Sequence, residues 1–491
     1  MDSSQDLYAI LGVSPGASEE EIRQAHRLAV LRFHPDRNKA PGAVALFKDI
    51  QAAYEILSER QSRAEYDRDR SAFREMPSGL LLETVHSRQQ VRLLDEPQLL
   101  YTLVKLRPTL EVGIGNANAP LNLCLVVDRS KSMSGPRLKQ LKDAANRIID
   151  EASDDDLISV VLPPQHPYDR RTMKAMLSTI RADGATAILA GLSRGLGLIE
   201  QNKAQRYVNH LVLITDGRTY GDEDGCLALA AEAHAKGIGI SGMGIGEDWN
   251  DRFLDALASR TGGASAYIAS PDTVSRFLRN RIRSLATAFA ERARLIVSPV
   301  GNTALNAVTR VSPDPMALPL TPQPIPLGTI DSQATTSILL QFHIDTKDAE
   351  AGKLFVGRVD VSADILGLAS HTERIMSDLI VTVTDEEIAE EPPPDLIDAL
   401  HKLTLYRLQE RAREALEDGD VVEATRKLEY LATRLFEVGE DELGQAALRE
   451  ARRVAHTHQF SEEGVKHLKY GTRALLPLGD EDDDQVPILP A

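Results

Sequence analysis

Two stretches constrain the fold more than anything else in this chain. Leu121–Val127 (LNLCLVV) and Val208–Thr215 (VNHLVLIT) are nearly unbroken apolar runs, and an aspartate, Asp128 or Asp216, follows each directly. A strand with one wet face alternates apolar and polar residues. An unbroken run needs cover on both faces, as in a parallel sheet flanked by helices. Ile158–Leu162 (ISVVL) and the run from Ile238 to Ile245 read as further strands, and helical patterns separate them, the first over Pro136–Asp150. Strands alternating with helices specify a parallel α/β sheet. Ligands of such sheets bind beyond the carboxyl ends of the strands, which is where Asp128 and Asp216 fall.

The segment after the first run reads Asp128-Arg129-Ser130-Lys131-Ser132, and Gly184-Ala185-Thr186 opens a later helix. In an extended segment, residues two apart share a side, so Asp128, Ser130 and Ser132 project together. Carboxylates and hydroxyls are hard oxygen donors of the kind Mg²⁺ takes. One D-x-S-x-S alone reads as a helix-capping loop. The second aspartate and the threonine at the ends of other elements change that reading. Here residues 118–290 resemble the von Willebrand factor A (vWA) family with its metal-ion-dependent adhesion site. The resemblance implies a Rossmann-like α/β domain whose five metal positions are Asp128, Ser130, Ser132, Thr186 and Asp216. It implies that the serines and threonine approach the metal directly and the aspartates act largely through water. It also implies one coordination position left open for a partner's carboxylate, and a divalent cation, Mg²⁺ ahead of Mn²⁺ or Ca²⁺. One departure follows Leu162. Pro163-Pro164 lead straight toward a helix, where relatives carry a β-hairpin with an antiparallel edge strand. A G-x-G-x-x-G pattern, Gly237 to Gly242, lies inside a strand-like run. A dinucleotide loop must instead join a strand to a helix, so this one reads as structural.

Near the start of the chain, Ser14-Pro15-Gly16 closes a short apolar segment. Ser18 with Glu21 three residues on forms a capping box, with Glu19 and Glu20 at the positive end of the helix dipole. Ile22, Ala25, Ala29 and Phe33 give that helix an apolar face, and Arg23 and Arg27 share another. Pro35 forces His34 out of helical geometry, so the helix must stop there. A second amphipathic helix follows, with Leu46, Phe47, Ile50, Ala53, Tyr54 and Leu57 as its stripe. Two such helices pack as an antiparallel hairpin with His34-Pro35-Asp36 in the connecting loop. On its own, His-Pro-Asp is a polar turn. Flanked by DLYAILGV, HRLAVLRFHPDRN, FKDIQAAYEILSE and SRAEYD, it resembles the J-domain family over about residues 4–70. The resemblance implies an all-α domain, residues 1–72, that stimulates a DnaK-type chaperone. It implies contact through His34, Pro35 and Asp36 and through a basic face of Arg23, Arg27 and Arg32, with Asp36 pairing an arginine of the chaperone. Family members often carry an aromatic where His26 stands and a basic residue where Leu28 stands.

Short alternating strands surround the α/β module. Leu81–Val85 and Leu99–Leu106 precede it, and Arg294–Val297, Thr336–Ile344, Phe355–Val361 and Ser377–Val383 follow it. Neither side has enough strands to stand alone. The economical reading is one discontinuous β-sandwich, residues 80–117 plus 291–385, with the vWA module inserted. That arrangement resembles a group of bacterial cytoplasmic vWA proteins. A Glu390-Glu391-Pro392-Pro393-Pro394 linker, within 386–394, is stiff. Residues 395–476 turn helical, with breaks near Gly419, Gly439 and Ser461, and form a bundle of three or four helices. His456 and His458 read as loop residues. Asp480–Asp484 lies in an acidic, disordered tail, 477–491.

At 491 residues the chain is long enough for about three domains. Its net charge of -17 opposes nucleic acid and membrane surfaces, whose phosphates it would repel. Two cysteines, Cys124 and Cys226, make no disulfide framework and no metal spacing. The polar N-terminus reads as no signal peptide, and no apolar run reaches membrane length. The expectation is a cytoplasmic, non-enzymatic adaptor. It would trigger a DnaK-type chaperone and hold an unknown protein partner at the metal site. The alternative is a scaffold or signalling protein working with a MoxR-type ATPase, the J-domain being accessory. Metal-dependent hydrolysis would need a positioned base near the metal, and none is evident.

Overall fold

A computed structural model describes residues 7–14, 16–36, 38, 43–73, 79–109, 119–128, 130–153, 155–161, 170–179, 181, 188–204, 207–216, 221–246, 249–268, 274–347, 349–366, 372–386, 388 and 390–475.

Four helices come first: α1 (Leu7–Leu11), α2 (Glu19–Phe33), α3 (Ala43–Leu57) and α4 (Arg60–Phe73). The expected capping box is present. Ser18 Oγ accepts from the Glu21 backbone N–H, and the Glu21 carboxylate accepts from the Ser18 N–H. Ile22, Ala29 and Phe33 of α2 pack with Leu46, Ile50, Ala53 and Leu57 of α3 in one core that also takes Leu7, Tyr8, Ile10 and Leu11. The apolar faces read from the spacing are therefore the buried faces.

Strands β1 (Leu80–His86), β2 (Gln90–Arg92) and β3 (Gln98–Pro108) follow, and then the α/β domain interrupts. Its elements are β4 (Leu121–Val127), α5 (Pro136–Glu151), β5 (Leu157–Val161), α6 (Arg170–Thr179), α7 (Ile188–Gln201), β6 (Val208–Thr215), α8 (Glu223–Ala235), β7 (Gly239–Ile245), α9 (Asp251–Ser259), β8 (Ser265–Ile268) and α10 (Val274–Ala286). The sheet order is β5-β4-β6-β7-β8 and all four pairings are parallel. Every residue of β4 and of β6 is buried, as unbroken apolar runs require. The chain order reverses between β4 and β6, which makes the crevice between their carboxyl ends the ligand position of such a sheet. Residues 162–169, where a shortened hairpin was expected, lie outside the described residues.

The glycine pattern is structural, as its strand context suggested. Gly237 has φ +69 and ends the turn after α8. Gly239, on β7, lies so close to the buried His210 ring that a β-carbon there would sit 2.4 Å from Nδ1. Gly242 meets Leu254 in the same way, at 3.1 Å.

After the α/β domain come β9 (Ala288–Pro299), β10 (Thr303–Ser312), β11 (Met316–Leu318), β12 (Ile325–Asp331), β13 (Thr336–Ile344), β14 (Gly352–Ile365) and β15 (Thr372–Thr384). With β1–β3 they build two five-stranded sheets, β1-β3-β13-β10-β11 and β12-β9-β14-β15-β2. β3 pairs antiparallel with both β1 and β13, so strands from both sides of the insertion share a sheet. One core holds Leu100, Val104, Ile338 and Phe342 of the first sheet with Leu295, Val297, Val359 and Leu379 of the second. β2, β10, β11 and β12 were not read from the sequence. The helical region has four helices: α11 (Pro394–Glu417), α12 (Val421–Glu437), α13 (Asp441–Thr457) and α14 (Glu462–Ala474). Pro394, read as the end of the linker, is the first residue of α11. Residues 476–491, with the acidic tail, lie outside the described residues.

The chain groups into two compact units, Met1–Asn118 with Ala288–Arg310 and Ala317–Leu396, and Ala119–Thr287 with Val311–Met316 and Ile397–Ala491. No described helix is long and apolar enough to cross a membrane.

Candidate functional sites

Helix α2 ends where Pro35 requires, with His34 in extended geometry at φ -61° and ψ 130°. The loop that follows is ordered by short-range bonds. The Asp36 N–H donates to His34 Nδ1 at 3.2 Å. The Asn38 N–H donates to the His34 carbonyl at 2.8 Å, and the His34 ring meets Phe47 of α3 edge-on, centroids 5.3 Å apart. The side chains of His34 and Asp36 nevertheless remain 40% and 85% exposed, so both are available to a partner. Arg23 and Arg27 are exposed on α2, Arg23 in a surface pair with Glu20 at 3.4 Å.

Arg32 is exposed too, and it also packs on a ring of the sandwich. Its guanidinium lies 4.6 Å from the centre of the Phe355 ring on β14. This is one of several contacts that seat the helical domain on the sandwich. Phe33 meets Phe355 edge-on at 6.3 Å. Arg358 of β14 donates from Nη1 to the Ile10 carbonyl (2.8 Å) and from Nε to Asp378 (2.5 Å). Arg374 of β15 bridges Asp49 of α3 (2.7 Å) and the buried Asp360 (2.9 Å). Asn38 Nδ2 donates to the Pro299 carbonyl at 3.0 Å, which ties the end of the His-Pro-Asp loop to β9. None of these partners was read from the sequence: the contacts with the helical domain join residues more than 250 positions apart, and the sandwich strands were read without their cross-strand ion pairs.

At the carboxyl ends of β4 and β6, Asp128, Ser130, Ser132 and Asp216 converge. Ser132 Oγ donates to Asp216 Oδ1 at 2.8 Å, Ser130 Oγ to the same oxygen at 3.2 Å, and the two hydroxyls are 2.8 Å apart. Asp128 is held from two sides: the Ser130 N–H donates to Oδ1 and the Thr215 hydroxyl to Oδ2, each at 2.8 Å. Asp216 is fully buried, Asp128 and Ser130 nearly so, and Ser132 faces solvent. Thr186, the fifth expected ligand, lies outside the described residues. Two residues were not anticipated. Thr215, the last residue of β6, orients Asp128. Arg137, in the first turn of α5, donates from Nη1 to Asp216 Oδ2 at 3.0 Å.

This donor set fits a hard divalent cation. It comprises two carboxylates and hydroxyl oxygens around one point, with an exposed side at Ser132 and a buried anion at its base. Groups of three or more His, Cys, Asp or Glu able to hold a metal do not occur among the described residues. Cys124 and Cys226 are free and buried, and burial raises both thiols to about 12, which leaves them protonated and inert.

A second seat joins the α/β domain to the helical bundle. Asp251, at the start of α9, pairs with Arg413 of α11 (2.9 Å) and Lys469 of α14 (2.5 Å). Asp255, one turn on, pairs with Lys469 and Arg473, each at 2.7 Å. Burial alone would raise the Asp251 carboxyl, but Lys469 and Arg413 outweigh it and hold it at about 2. Arg473 and Lys469 hold the Asp255 carboxyl well below the usual range, against its own burial.

The comparisons with known proteins agree with this division. The DnaJ domain model matches residues 6–67, the von Willebrand factor type A domain model residues 122–278, and the model for the Sll0103-like C-terminal alpha-helical domain residues 394–477. The uncharacterized protein sll0103 of Synechocystis is 29% identical over 332 residues, 64% of this chain and 78% of that protein. The chaperone protein DnaJ of Pediococcus pentosaceus is 50% identical over 72 residues, and that of Trichormus variabilis 54% over 65. Those matches span only 19% and 17% of the two DnaJ proteins. Among solved structures, a von Willebrand factor type A protein from Catenulispora acidiphila matches with TM-score 0.62 at 16% identity, over 80% of this chain and 96% of its own. That likeness concerns the fold, and it reaches well past the α/β domain. One polypeptide thus carries a DnaJ domain, a von Willebrand factor type A domain and an Sll0103-like C-terminal helical domain.

Proposed function

We propose that this protein is a co-chaperone adaptor, without catalytic activity of its own, that stimulates ATP hydrolysis by a DnaK-type chaperone and holds a protein partner at its vWA site. The observation that carries the first half is the His34-Pro35-Asp36 loop, ordered from within yet exposed at His34 and Asp36. A carboxylate at 85% exposure is free to form a charge-assisted pair with an arginine of the chaperone. Arg23 and Arg27 extend this surface along α2. Arg32 is turned onto Phe355 and contributes to seating the domain.

The second half rests on the convergence of Asp128, Ser130, Ser132 and Asp216. Ser130 and Ser132, with Thr186, would hold a divalent cation, Mg²⁺ first, and the two aspartates would bind its water shell. Such a cation supplies concentrated positive charge with room for a carboxylate from the partner. Thr215 and the Ser130 N–H keep Asp128 aimed at the site, and Ser132 marks the side from which a partner approaches.

Two measurements test the reading. In single-turnover ATP hydrolysis by a DnaK-type chaperone, the full chain accelerates the rate and His34→Gln abolishes the acceleration. Equal stimulation by both would end the co-chaperone assignment. In affinity capture, EDTA and Asp128→Ala each release the same partners. Capture indifferent to both would remove the metal-dependent half.

A further inference from the structure

Asp216 is a fully buried carboxylate, and a buried anion needs a counter-charge. Its Oδ1 takes the serine hydroxyls, and its Oδ2 takes Arg137. Arg137 reaches further. Its guanidinium lies against Gly246, just past the end of β7, so closely that a β-carbon there would be 2.6 Å from Nη2. Gly246 has φ +75, and its carbonyl accepts from the Trp249 indole N–H at 2.8 Å. Trp249 is 1% exposed and folds back over Gly244, where even a β-carbon would fall 2.0 Å from the ring. The other side of the indole belongs to the helical bundle. The Lys466 ammonium is 5.3 Å from its ring centre, and the Tyr470 ring 5.8 Å away; both residues are on α14. Asp251, two positions after Trp249, is locked to Arg413 and Lys469. One continuous set of contacts thus runs from Asp216 through Arg137, Gly246 and Trp249 to α14.

We propose that Arg137 is the built-in counter-ion of the vWA metal site and couples its occupancy to the seat of the helical bundle at the Trp249 turn. This rests on the metal-site reading above. Arg137 and a divalent cation compete for Asp216, since both sit against the same carboxylate and repel each other. When Asp216 is taken, Arg137 gives up Oδ2 and with it the position against Gly246. The Trp249 turn loses one wall while the bundle holds the other. Coupling of this kind is reciprocal, so contacts that steady α14 on Trp249 favour the Arg137-paired state and weaken cation binding. The bundle therefore both senses and sets the state of the adhesion site.

Trp249 is the one tryptophan in the chain, so its fluorescence reports this turn alone. The full chain is titrated with Mg²⁺ while Trp249 emission is followed, and Mn²⁺ binding is measured separately by electron paramagnetic resonance. In the wild type, emission changes and saturates in step with occupancy. Arg137→Gln binds Mn²⁺ about tenfold tighter, because one competing charge is gone, and its emission no longer responds. Arg137→Lys keeps the charge beside Asp216 but lacks the fork against Gly246, so affinity returns toward wild type while the response stays absent. Arg137 is about one-third exposed, so these variants fold, which a thermal melt checks. Mn²⁺ binding to the wild type with unmoved Trp249 emission, or unchanged affinity in Arg137→Gln, overturns the coupling and leaves the metal site standing. Absence of Mn²⁺ binding in the wild type, matching Asp128→Ala, overturns the metal-site reading and the coupling with it.

Discussion

The ring of His26 lies flat on Tyr54, centroids 3.8 Å apart and planes 9° from parallel. It fills between α2 and α3 the place where the J-domain resemblance leads one to expect an aromatic. Its Nε2 is buried without a hydrogen-bond partner among the described residues. Burial lowers the His26 pKa, and a bond with Gln51 offsets part of that. The unfolded chain therefore takes up a proton here more readily than the folded one. This contribution to stability is complete above about pH 6.5 and is lost as pH falls below it. We expect the melting temperature of the first unit to drop between pH 7.5 and 5.5, and His26→Phe to reduce that drop. Identical pH profiles for the two proteins would exclude His26 as a source. Thr215 makes a second prediction at this scale. Thr215→Val removes one of the two bonds that aim Asp128, so Mn²⁺ affinity should fall several-fold, with a stability cost of about 1 kcal/mol. Paramagnetic titration and chemical denaturation check the two halves separately.

At the scale of elements, β7 shows why a glycine-rich strand is no phosphate loop. Gly239 gives room to the His210 ring, whose Nε2 bonds Ser241 Oγ at 2.9 Å in the middle of the sheet. Gly239→Ala drives a methyl into that ring, and overpacking of this sort costs about 1–3 kcal/mol. Equilibrium denaturation should register it as a lower midpoint; a change near zero would mean the strand shifts freely, against the close packing described. Other strands were hidden by their own residues. β10 contains Thr309 and Arg310, which are buried, with Arg310 donating from Nη1 to the Leu327 carbonyl at 3.0 Å, so its polar residues break the apolar pattern of a buried strand. β12 carries Pro326 and Gly328 and slips register there, so it lacks the period of a regular strand. β2 has three residues and no pattern to detect. β4 and β6 were legible to the residue because strands buried at every position read as nearly unbroken apolar runs.

For the whole molecule, the informative features are the two charged seats. On the first unit, Arg374 serves Asp49 of the J-domain and the buried Asp360 of the sandwich together, and burial notwithstanding, those carboxylates raise its pKa further. Arg374→Glu would set three carboxylates against one another. We expect α3 and the facing strands to exchange amide hydrogens much faster, while the isolated fold of the helices persists. Unchanged exchange would show that the seat depends on Phe33 and Phe355 alone. On the second unit, the Asp251 carboxyl sits at about 2 instead of 3.8. A depressed carboxyl stabilises the folded state above its unfolded pKa, and that contribution is lost as pH falls from about 3.8 through 2. Acid titration of the second unit should show a step in this window that Asp251→Asn lacks. At neutral pH the same variant should cost about 3 kcal/mol, because Arg413 and Lys469 lose a buried partner.

Local chemistry was enough to determine much of this protein from its sequence. The caps and stops of α2, the buried strands and the exposed His34-Pro35-Asp36 loop follow from period, proline and capping rules acting over a few residues, and the meeting of Asp128 with Asp216 follows from where parallel strands end. Motif order added the J-domain and vWA assignments. What only the tertiary structure decided is where long charged side chains go. Arg32, Arg137, Arg358, Arg374, Lys466, Lys469 and Arg473 look alike in the sequence, as solvated surface. Their tertiary partners lie far along the chain, and whether such a charge is left in water, laid on an aromatic ring or buried against an anion depends on which elements pack over it. The J-domain's seat, the bundle's lock and the pairing of Arg137 with Asp216 are all made from this one class of residue.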